Sequence, residues 1–246
     1  MPYNFSYKKN YASSPYVGVK KKKSFPLPIT LSLIIINVLV FIVQLIWDSS
    51  TKSATSLGFF TTNLSVIPAH ILQGKALWTI ITNMFLHANV FHLLANMVSL
   101  FFIGSFLEKL ISKKKFFWLY MISGIIASLA FVFLASAFGS SALGARIFGN
   151  ADMAALGASG AIFGLIACLM ILTPKVKVYV LFIPIAMPLW IGMIIMLFGL
   201  WIVSFGFGLP VGNSAHFGGF LAGIVYGIYL RIRHKSKVQV LDQVFS

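Results

Sequence analysis

Long apolar segments alternate with shorter polar ones along most of the chain. A helix needs about 20 apolar residues to cross about 30 Å of hydrocarbon. Five segments approach or exceed this length, and a sixth, residues 159–173, is shorter. The pattern predicts an all-α polytopic membrane protein with six spans: 27–47, 82–107, 116–138, 159–173, 188–205 and 213–230.

The short fourth span and the segments between spans add detail to this prediction. Because residues 159–173 are too few for a full crossing, the start of that span should lie below the external surface. Residues 48–77 carry too many large apolar side chains for a solvated loop, so we expect an interfacial or partly embedded element. We divide the chain into a basic cytoplasmic tail, 1–26, a six-helix domain, 27–231, and a second cytoplasmic tail, 232–246.

Composition excludes a soluble globular domain. The chain is 59% hydrophobic and only 9% charged, whereas ordinary domains carry about 25% charged residues. The single cysteine, Cys168, excludes an internal disulfide framework and falls inside the fourth span, where we interpret it as a packing residue.

The formal net charge of +15 reflects orientation in a membrane rather than binding of nucleic acid. Sixteen of the 19 basic residues fall on one side of the predicted spans, and only Lys52, Lys75 and Arg146 fall on the other. This distribution follows the positive-inside rule and predicts that both termini are cytoplasmic. We expect a multi-pass protein of a prokaryotic cell membrane. It also predicts contacts with anionic membrane lipid. The sixteen are Lys8, Lys9, Lys20 to Lys23, Lys109, Lys113 to Lys115, Lys175, Lys177, Arg231, Arg233, Lys235 and Lys237.

A serine lies between glycines at the start of the fourth span. Gly157 can adopt a positive φ, and Gly160 with Gly164 forms a ridge that a neighbouring helix can approach closely. Ser159 then occupies a first helical turn, where free N–H groups favour developing negative charge. The motif Gly-x-Ser-Gly is weak evidence alone, because it also serves simple helix packing.

The last span supplies a histidine beside a second glycine ridge. His216 precedes Gly219, which begins a four-residue repeat of glycines that continues at 223 and 227. Matching ridges would bring the fourth and sixth spans together, with Ser159 and His216 at similar depth. Serine needs an adjacent base to act as a nucleophile. Since no carboxylate lies obviously near His216, we expect a Ser–His dyad.

Polar side chains also interrupt the second span. His87, His92 and Asn96 would be costly in hydrocarbon and are therefore functional candidates. His92 and Asn96 are four residues apart on one helix face, where they could complete an oxyanion hole with the Ser159 backbone amide. On a helix, His87 and His92 would be splayed by about 140°. No carboxylate or thiolate accompanies them, so we predict no metal site and no cofactor.

Three blocks in this order resemble those of the rhomboid family of intramembrane serine proteases: His87-x4-His92-x3-Asn96, Gly157-x-Ser159-Gly160 and Ala215-His216-Phe217-Gly218-Gly219. The resemblance covers about residues 27–231. It implies Ser159 as nucleophile, His216 as general base, and His92, Asn96 and the Ser159 amide as oxyanion contacts. It further implies that 48–77 is the membrane-embedded loop, and it gives supporting roles to Gly157, Gly160, Phe163, His87, Gly219 and Glu108.

The chain departs from the family pattern at two positions. Family members often carry Trp-Arg before the second span, whereas Thr79 follows Trp78 here, which affects the expected anchoring of the loop. The aromatic residue that stacks on the catalytic imidazole is commonly tyrosine, and here it is Phe163.

The resemblance implies an endopeptidase that cuts single- or multi-span membrane proteins in or near their transmembrane segments. The alternative is a catalytically silent relative that binds such clients without cutting them. A transporter is less favoured, because the chain shows no repeated halves with paired broken helices. Substrate identity and oligomeric state are not predicted.

Overall fold

The computed structural model describes residues 27–51, 58–180, 183–207 and 212–244. Among these, five helical segments are long and apolar enough to cross a membrane, namely α1, the continuous α5–α6 segment, α7, α10 and α11. The prediction of a helical polytopic membrane protein is thus confirmed. The helices are α1 (Ile29–Thr51), α2 (Phe59–Leu64), α3 (Pro68–Leu72), α4 (Thr79–Thr82), α5 (Val90–Ser99), α6 (Ser105–Ile111), α7 (Lys113–Phe138), α8 (Ala142–Phe148), α9 (Ser159–Leu172), α10 (Leu189–Phe207), α11 (Asn213–Arg233) and α12 (Lys235–Val244).

The predicted fourth span corresponds to α9, which has 14 residues. At 1.5 Å per residue it is about 21 Å long, too short for the hydrocarbon core. It lies in the middle of the protein, packed against α7 and α11, and most of its side chains are buried. Such a helix is surrounded by protein rather than by lipid, which is why a short element can persist there.

Two carboxylates bind backbone amides near opposite ends of α1. Glu108 accepts from the N–H groups of Ile29 and Thr30, each at 2.9 Å, and from the Thr30 hydroxyl at 2.7 Å. Asp48 accepts from the Phe60 N–H at 2.7 Å, at the start of α2. Free amides at helix N-termini favour such anionic partners. Both acids therefore fix the position of α1.

Residues 58–89, between α1 and α5, are folded rather than extended, with α2, α3 and α4 along them. Trp78 Nε1 donates to the Asn63 carbonyl at 2.9 Å, and Thr82 Oγ1 donates to the Leu64 carbonyl at 2.8 Å. Val66 exchanges two backbone hydrogen bonds with Ala155. The loop is thus anchored without an arginine after Trp78.

The predicted boundaries of the first two spans are wrong in two places. α1 continues through Asp48 to Thr51, where an external segment was expected. The second long helix begins at Val90 rather than at residue 82, because Asn89 is extended and its side chain accepts from the His92 N–H as an N-cap. His87 therefore precedes the helix, and the expected 140° separation from His92 does not apply. A π-helical stretch, Leu100–Gly104, joins α5 to α6.

Elements also occur where loops or tails were expected. α8 lies within residues 139–157, between the third and fourth predicted spans. Strands β1 (Lys177–Val180) and β2 (Ile183–Pro188) pair antiparallel between the fourth and fifth predicted spans, and β2 includes the first residue of the fifth. α11 continues to Arg233, past the predicted domain end at 231. The tail 1–26 lies outside the described residues, and the division into three parts remains a prediction.

Candidate active site

The structure brings together the serine and the histidine that the sequence singles out. Ser159 is the first residue of α9, and His216 lies in the first turn of α11. Ser159 Oγ and His216 Nε2 are 2.7 Å apart, a hydrogen-bond distance. With its Nε2 unprotonated, the imidazole can accept the serine proton, as nucleophile activation requires.

Glycines allow the two helices to approach this closely. A Cβ atom on Gly219 would overlap the Gly160 carbonyl oxygen, and one on Gly223 would overlap that of Gly164. Further along, a Cβ on Gly227 would lie 2.8 Å from Ile171 Cβ. The backbones of α9 and α11 are therefore in direct contact, which places the ends that carry Ser159 and His216 side by side.

The imidazole of His216 stacks on an aromatic ring, and no acidic side chain of the described residues bonds it as the third member of a triad. The rings of Phe163 and His216 stack with centroids 4.5 Å apart and an angle of 13° between their planes. His216 Nδ1 is buried and has no hydrogen-bond partner among the described residues. The geometry is that of a dyad, with Phe163 rather than a carboxylate fixing the ring.

Gly157 forms the turn before Ser159 and lies against His92. Its φ is +129°, a value that L side chains rarely adopt, and its N–H donates to the Asn83 carbonyl at 2.9 Å. A Cβ there would be 2.9 Å from His92 Nε2 and 3.7 Å from Ser159 Oγ. The edge of the His92 ring therefore faces the same small space as the serine hydroxyl.

One hydrogen bond defines which nitrogen of His92 faces this space as a donor. The Ala88 N–H donates to His92 Nδ1 at 3.3 Å, so Nδ1 is the acceptor. In a neutral imidazole the proton is then on Nε2. Asn96 lies one turn further along α5, where it is buried and its Nδ2 donates to the His92 carbonyl at 2.8 Å. The amide has a second N–H for another acceptor.

Two further predicted site residues, His87 and Glu108, pack against rings or cap a helix, and neither hydrogen-bonds to Ser159 within the described part of the chain. The buried ring of His87 packs edge-on against those of Phe41 and His92, with centroids 6.5 Å and 5.2 Å away. Glu108 is remote from the serine and caps α1. No group of three or more histidine, cysteine or acidic side chains that could hold a metal occurs within the described ranges. Independence from metal remains a prediction.

Sequence reasoning missed two residues that support the site. Asn83 accepts the Gly157 N–H through its carbonyl, and its side chain donates to Ser128 Oγ on α7 at 2.9 Å. Gln44, buried in α1, pairs with the backbone of His87. A signal for Gln44 was available, since an amide inside an apolar span is a functional candidate by default.

Comparison with known proteins identifies the family of the chain. The model of the Rhomboid domain matches residues 74–233, about two thirds of the chain. The chain belongs to the rhomboid family. This rhomboid is similar to RHOMBOID-like protein 5 of Arabidopsis thaliana, at 31% identity over 170 residues that cover 69% of this chain and 49% of that protein.

Two bacterial proteins are also similar to this rhomboid. Rhomboid protease AarA of Providencia stuartii is 30% identical over 251 residues, which cover 90% of this chain and 80% of that protein. Rhomboid protease GluP of Bacillus subtilis is 28% identical over 194 residues, which cover 77% of this chain and 32% of that protein. The chain spans about half the length of the Arabidopsis relative and a third of GluP.

Proposed function

We propose that this rhomboid is an intramembrane serine endopeptidase that hydrolyses peptide bonds in or near the transmembrane segments of other membrane proteins. The observation that carries the proposal is the 2.7 Å contact between Ser159 Oγ and His216 Nε2. Two bacterial relatives are named rhomboid proteases, which supports the same activity here.

In the first half of the reaction, Ser159 Oγ attacks the substrate carbonyl carbon while its proton passes to His216 Nε2. The carbonyl oxygen becomes an oxyanion, for which free N–H groups in the first turn of α9 are natural partners. His92 Nε2–H and the second Asn96 N–H are the proposed side-chain donors. His216 then returns its proton to the departing amine, which leaves an acyl group on Ser159.

In the second half, water replaces the amine. His216 takes a proton from the water as its oxygen attacks the acyl carbon, and the same donors stabilise the second oxyanion. Collapse of this intermediate releases the new carboxyl group, and the proton on His216 returns to Ser159 Oγ. None of these steps requires a metal or cofactor. Full activity in excess chelator is the expected outcome, and loss that added zinc restores would contradict it.

The substrate has to present an extended peptide bond. A peptide in a regular transmembrane helix is shielded by its own hydrogen bonds, and the space between Gly157, His92 and Ser159 is narrow. We propose that substrates unwind locally near the cut. A single-span reporter carrying a Gly-Pro break should be cut faster than one with a uniform leucine helix, and equal rates would contradict this requirement.

A second candidate function is binding of transmembrane clients without cleavage. The Arabidopsis relatives are named RHOMBOID-like proteins, which states no activity. The hydrogen-bonded Ser159 and His216 favour the protease, because a silent binder has no need to keep a nucleophile beside its base.

Covalent labelling separates the two functions. The purified protein in detergent is treated with a serine-directed phosphonate, and the modified residue is identified by mass spectrometry. We expect stoichiometric labelling at Ser159, none in Ser159→Ala, and normal labelling in Ser32→Ala, a control at an exposed hydroxyl on α1. A folded wild-type protein that neither reacts nor cuts a reporter would favour the binder.

We further propose that both termini face the cytoplasm of a prokaryotic cell and that the basic end contacts anionic lipid. Lys115 and His234 meet at this end, with Nζ and Nε2 2.6 Å apart. Single cysteines on a Cys168→Ala background test the orientation. Lys75→Cys should react with an impermeant reagent from outside, and Lys235→Cys only after lysis. The reverse result would invert the topology.

A further inference from the structure

A buried amide on α1 is joined to the turn that precedes α5. Gln44 Nε2 donates to the His87 carbonyl at 3.0 Å, and the His87 N–H donates to Gln44 Oε1 at 3.1 Å. Gln44 is 6% exposed and His87 is fully buried, so water does not compete for these groups. The side chain thus pairs with the main chain of His87 through both donor and acceptor, which fixes the position of that residue's backbone.

The two residues after His87 hold His92 at two atoms. The Ala88 N–H donates to the ring at Nδ1, 3.3 Å away, and Asn89 Oδ1 accepts from the His92 backbone N–H at 2.9 Å. The Ala88 N–H and the His87 carbonyl belong to the same peptide plane. A tilt of this plane would turn the Ala88 N–H away from the His92 ring. The ring would then lose the contact that keeps its proton on Nε2 and directs that edge toward Ser159.

We infer that Gln44 is a positioning residue for the oxyanion side of the active site. It acts through the His87 backbone and the Ala88 amide to hold His92 Nε2–H in place. This inference rests on the proposed function, because it gives Gln44 a part in the same reaction. It also gives a use to the amide of Gln44, whose donor and acceptor both pair with the His87 backbone.

Packing alone does not account for glutamine at this position. Moving an amide into an apolar environment is costly unless it is hydrogen-bonded, and a leucine would fill similar space at lower cost. α1 is already fixed by Glu108 at its start and by Asp48 near its end. The contact of Gln44 is the one that lies beside the active-site turn.

A double-mutant cycle tests whether Gln44 acts through His92. Gln44→Leu removes both hydrogen bonds and should lower kcat for a transmembrane reporter by about 10- to 100-fold, since small misplacements of catalytic groups cost up to about 10². In a His92→Ala background the same change should cost about twofold or less, because the residue through which Gln44 acts is already absent and a cycle resolves no smaller difference. An equal loss in both backgrounds would show a merely structural role and overturn the inference.

Two further variants make the result decisive. Asn37→Leu removes another buried amide of α1, which donates to the Leu33 carbonyl of its own helix at 2.8 Å, and it should keep wild-type kcat. Gln44→Glu, neutral when buried, retains an acceptor and a donor. It should keep kcat within about tenfold of wild type, well above a folded Gln44→Leu. If Gln44→Leu does not fold, a folded Gln44→Glu whose kcat falls 100-fold would overturn the inference.

The wild-type protein and Ser159→Ala are measured in the same series. If the wild type does not cut the reporter, or if Ser159→Ala cuts it equally well, the proposed function fails. If cleavage depends on Ser159 but the cost of Gln44→Leu is independent of His92, only the role of Gln44 fails.

Discussion

The two sides of the proposed active site are held together by different kinds of contact. On one side, Ser159 and His216 are positioned by backbones that touch at glycines. On the other side, His92 is positioned by hydrogen bonds from a turn that Gln44 holds. The first arrangement depends on the volume of each side chain and the second on its polar atoms. A substitution should therefore act on one side through size and on the other through hydrogen bonding.

The largest loss of turnover is expected when the proposed base, His216, is removed. His216→Ala should reduce turnover to background and abolish phosphonate labelling, because nothing else activates Ser159 Oγ. Cleavage of a membrane reporter in detergent measures the loss, with His70→Ala on α3 as a histidine control that should stay active. If a well-folded His216→Ala still cleaves while His92→Ala is dead, the base lies on α5 and the proposed roles are reversed.

The hydrogen-bonded side should show a smaller loss with the nucleophile intact. Removing one oxyanion donor typically costs about 10² to 10³ in rate, or roughly 3–4 kcal/mol. His92→Ala and Asn96→Ala should therefore cleave slowly but measurably, with labelling of Ser159 weakened rather than absent.

Thermal unfolding has to be measured alongside, because an unpaired buried group costs about 1–3 kcal/mol by itself. Wild-type cleavage rates in both variants would contradict the proposed role of His92 and Asn96 as oxyanion donors.

The packed side should respond to a single methyl group. Gly219→Ala places a Cβ against the Gly160 carbonyl, and overpacking of this kind costs about 1–3 kcal/mol. We expect a lower midpoint of thermal unfolding together with reduced turnover, since the helices must move apart at the Ser159 end. Gly199→Ala is the matched control, because nothing lies within 4 Å of its Cβ position on α10. Equal midpoints of thermal unfolding for the two variants would show that the backbone contact between α9 and α11 does not limit stability.

The smallest effect is expected at Phe163. Its stacking on His216 contributes about 0.5–1.5 kcal/mol if it behaves like other ring pairs. Phe163→Leu should lower kcat by up to about tenfold, and Phe163→Tyr, which keeps the stacked face, should remain near the wild-type rate. A comparison of kcat and KM for both variants checks this. A large loss in Phe163→Tyr would mean that the hydroxyl cannot be accommodated beside the imidazole.

The packed side could be predicted from sequence, and the hydrogen-bonded side only in part. Glycines at four-residue spacing after His216 and around Ser159 are visible in the sequence and have one main use, close helix contact. The contact of α9 with α11 follows from them. The length of α9 also follows, because the apolar run after Ser159 is short.

The turn before α5 could not be placed by periodicity. Overall apolar content assigns residues 82–107 to one span, yet the long helix begins at Val90 because Asn89 caps it. Asn89 is a preferred N-cap residue, so a search for capping signals would have moved the boundary. The pairing of Gln44 with His87 joins residues 43 apart and depends on tertiary packing that no local pattern encodes. The hairpin β1–β2 was missed because its strands lie in an apolar stretch interrupted by Pro184.

The cap that Glu108 provides for α1 has a consequence for biosynthesis. Ile29 and Glu108 are 79 residues apart, a distance that takes about 4 to 16 s to translate at 5–20 residues per second. Until Glu108 has been made, α1 lacks the carboxylate that binds its leading amides. Ser159 is made after Glu108, and His216 follows 57 residues later still. A nascent chain that has not reached residue 216 therefore carries Ser159 without its proposed base, so the proposed cleavage has to wait until α11 is made.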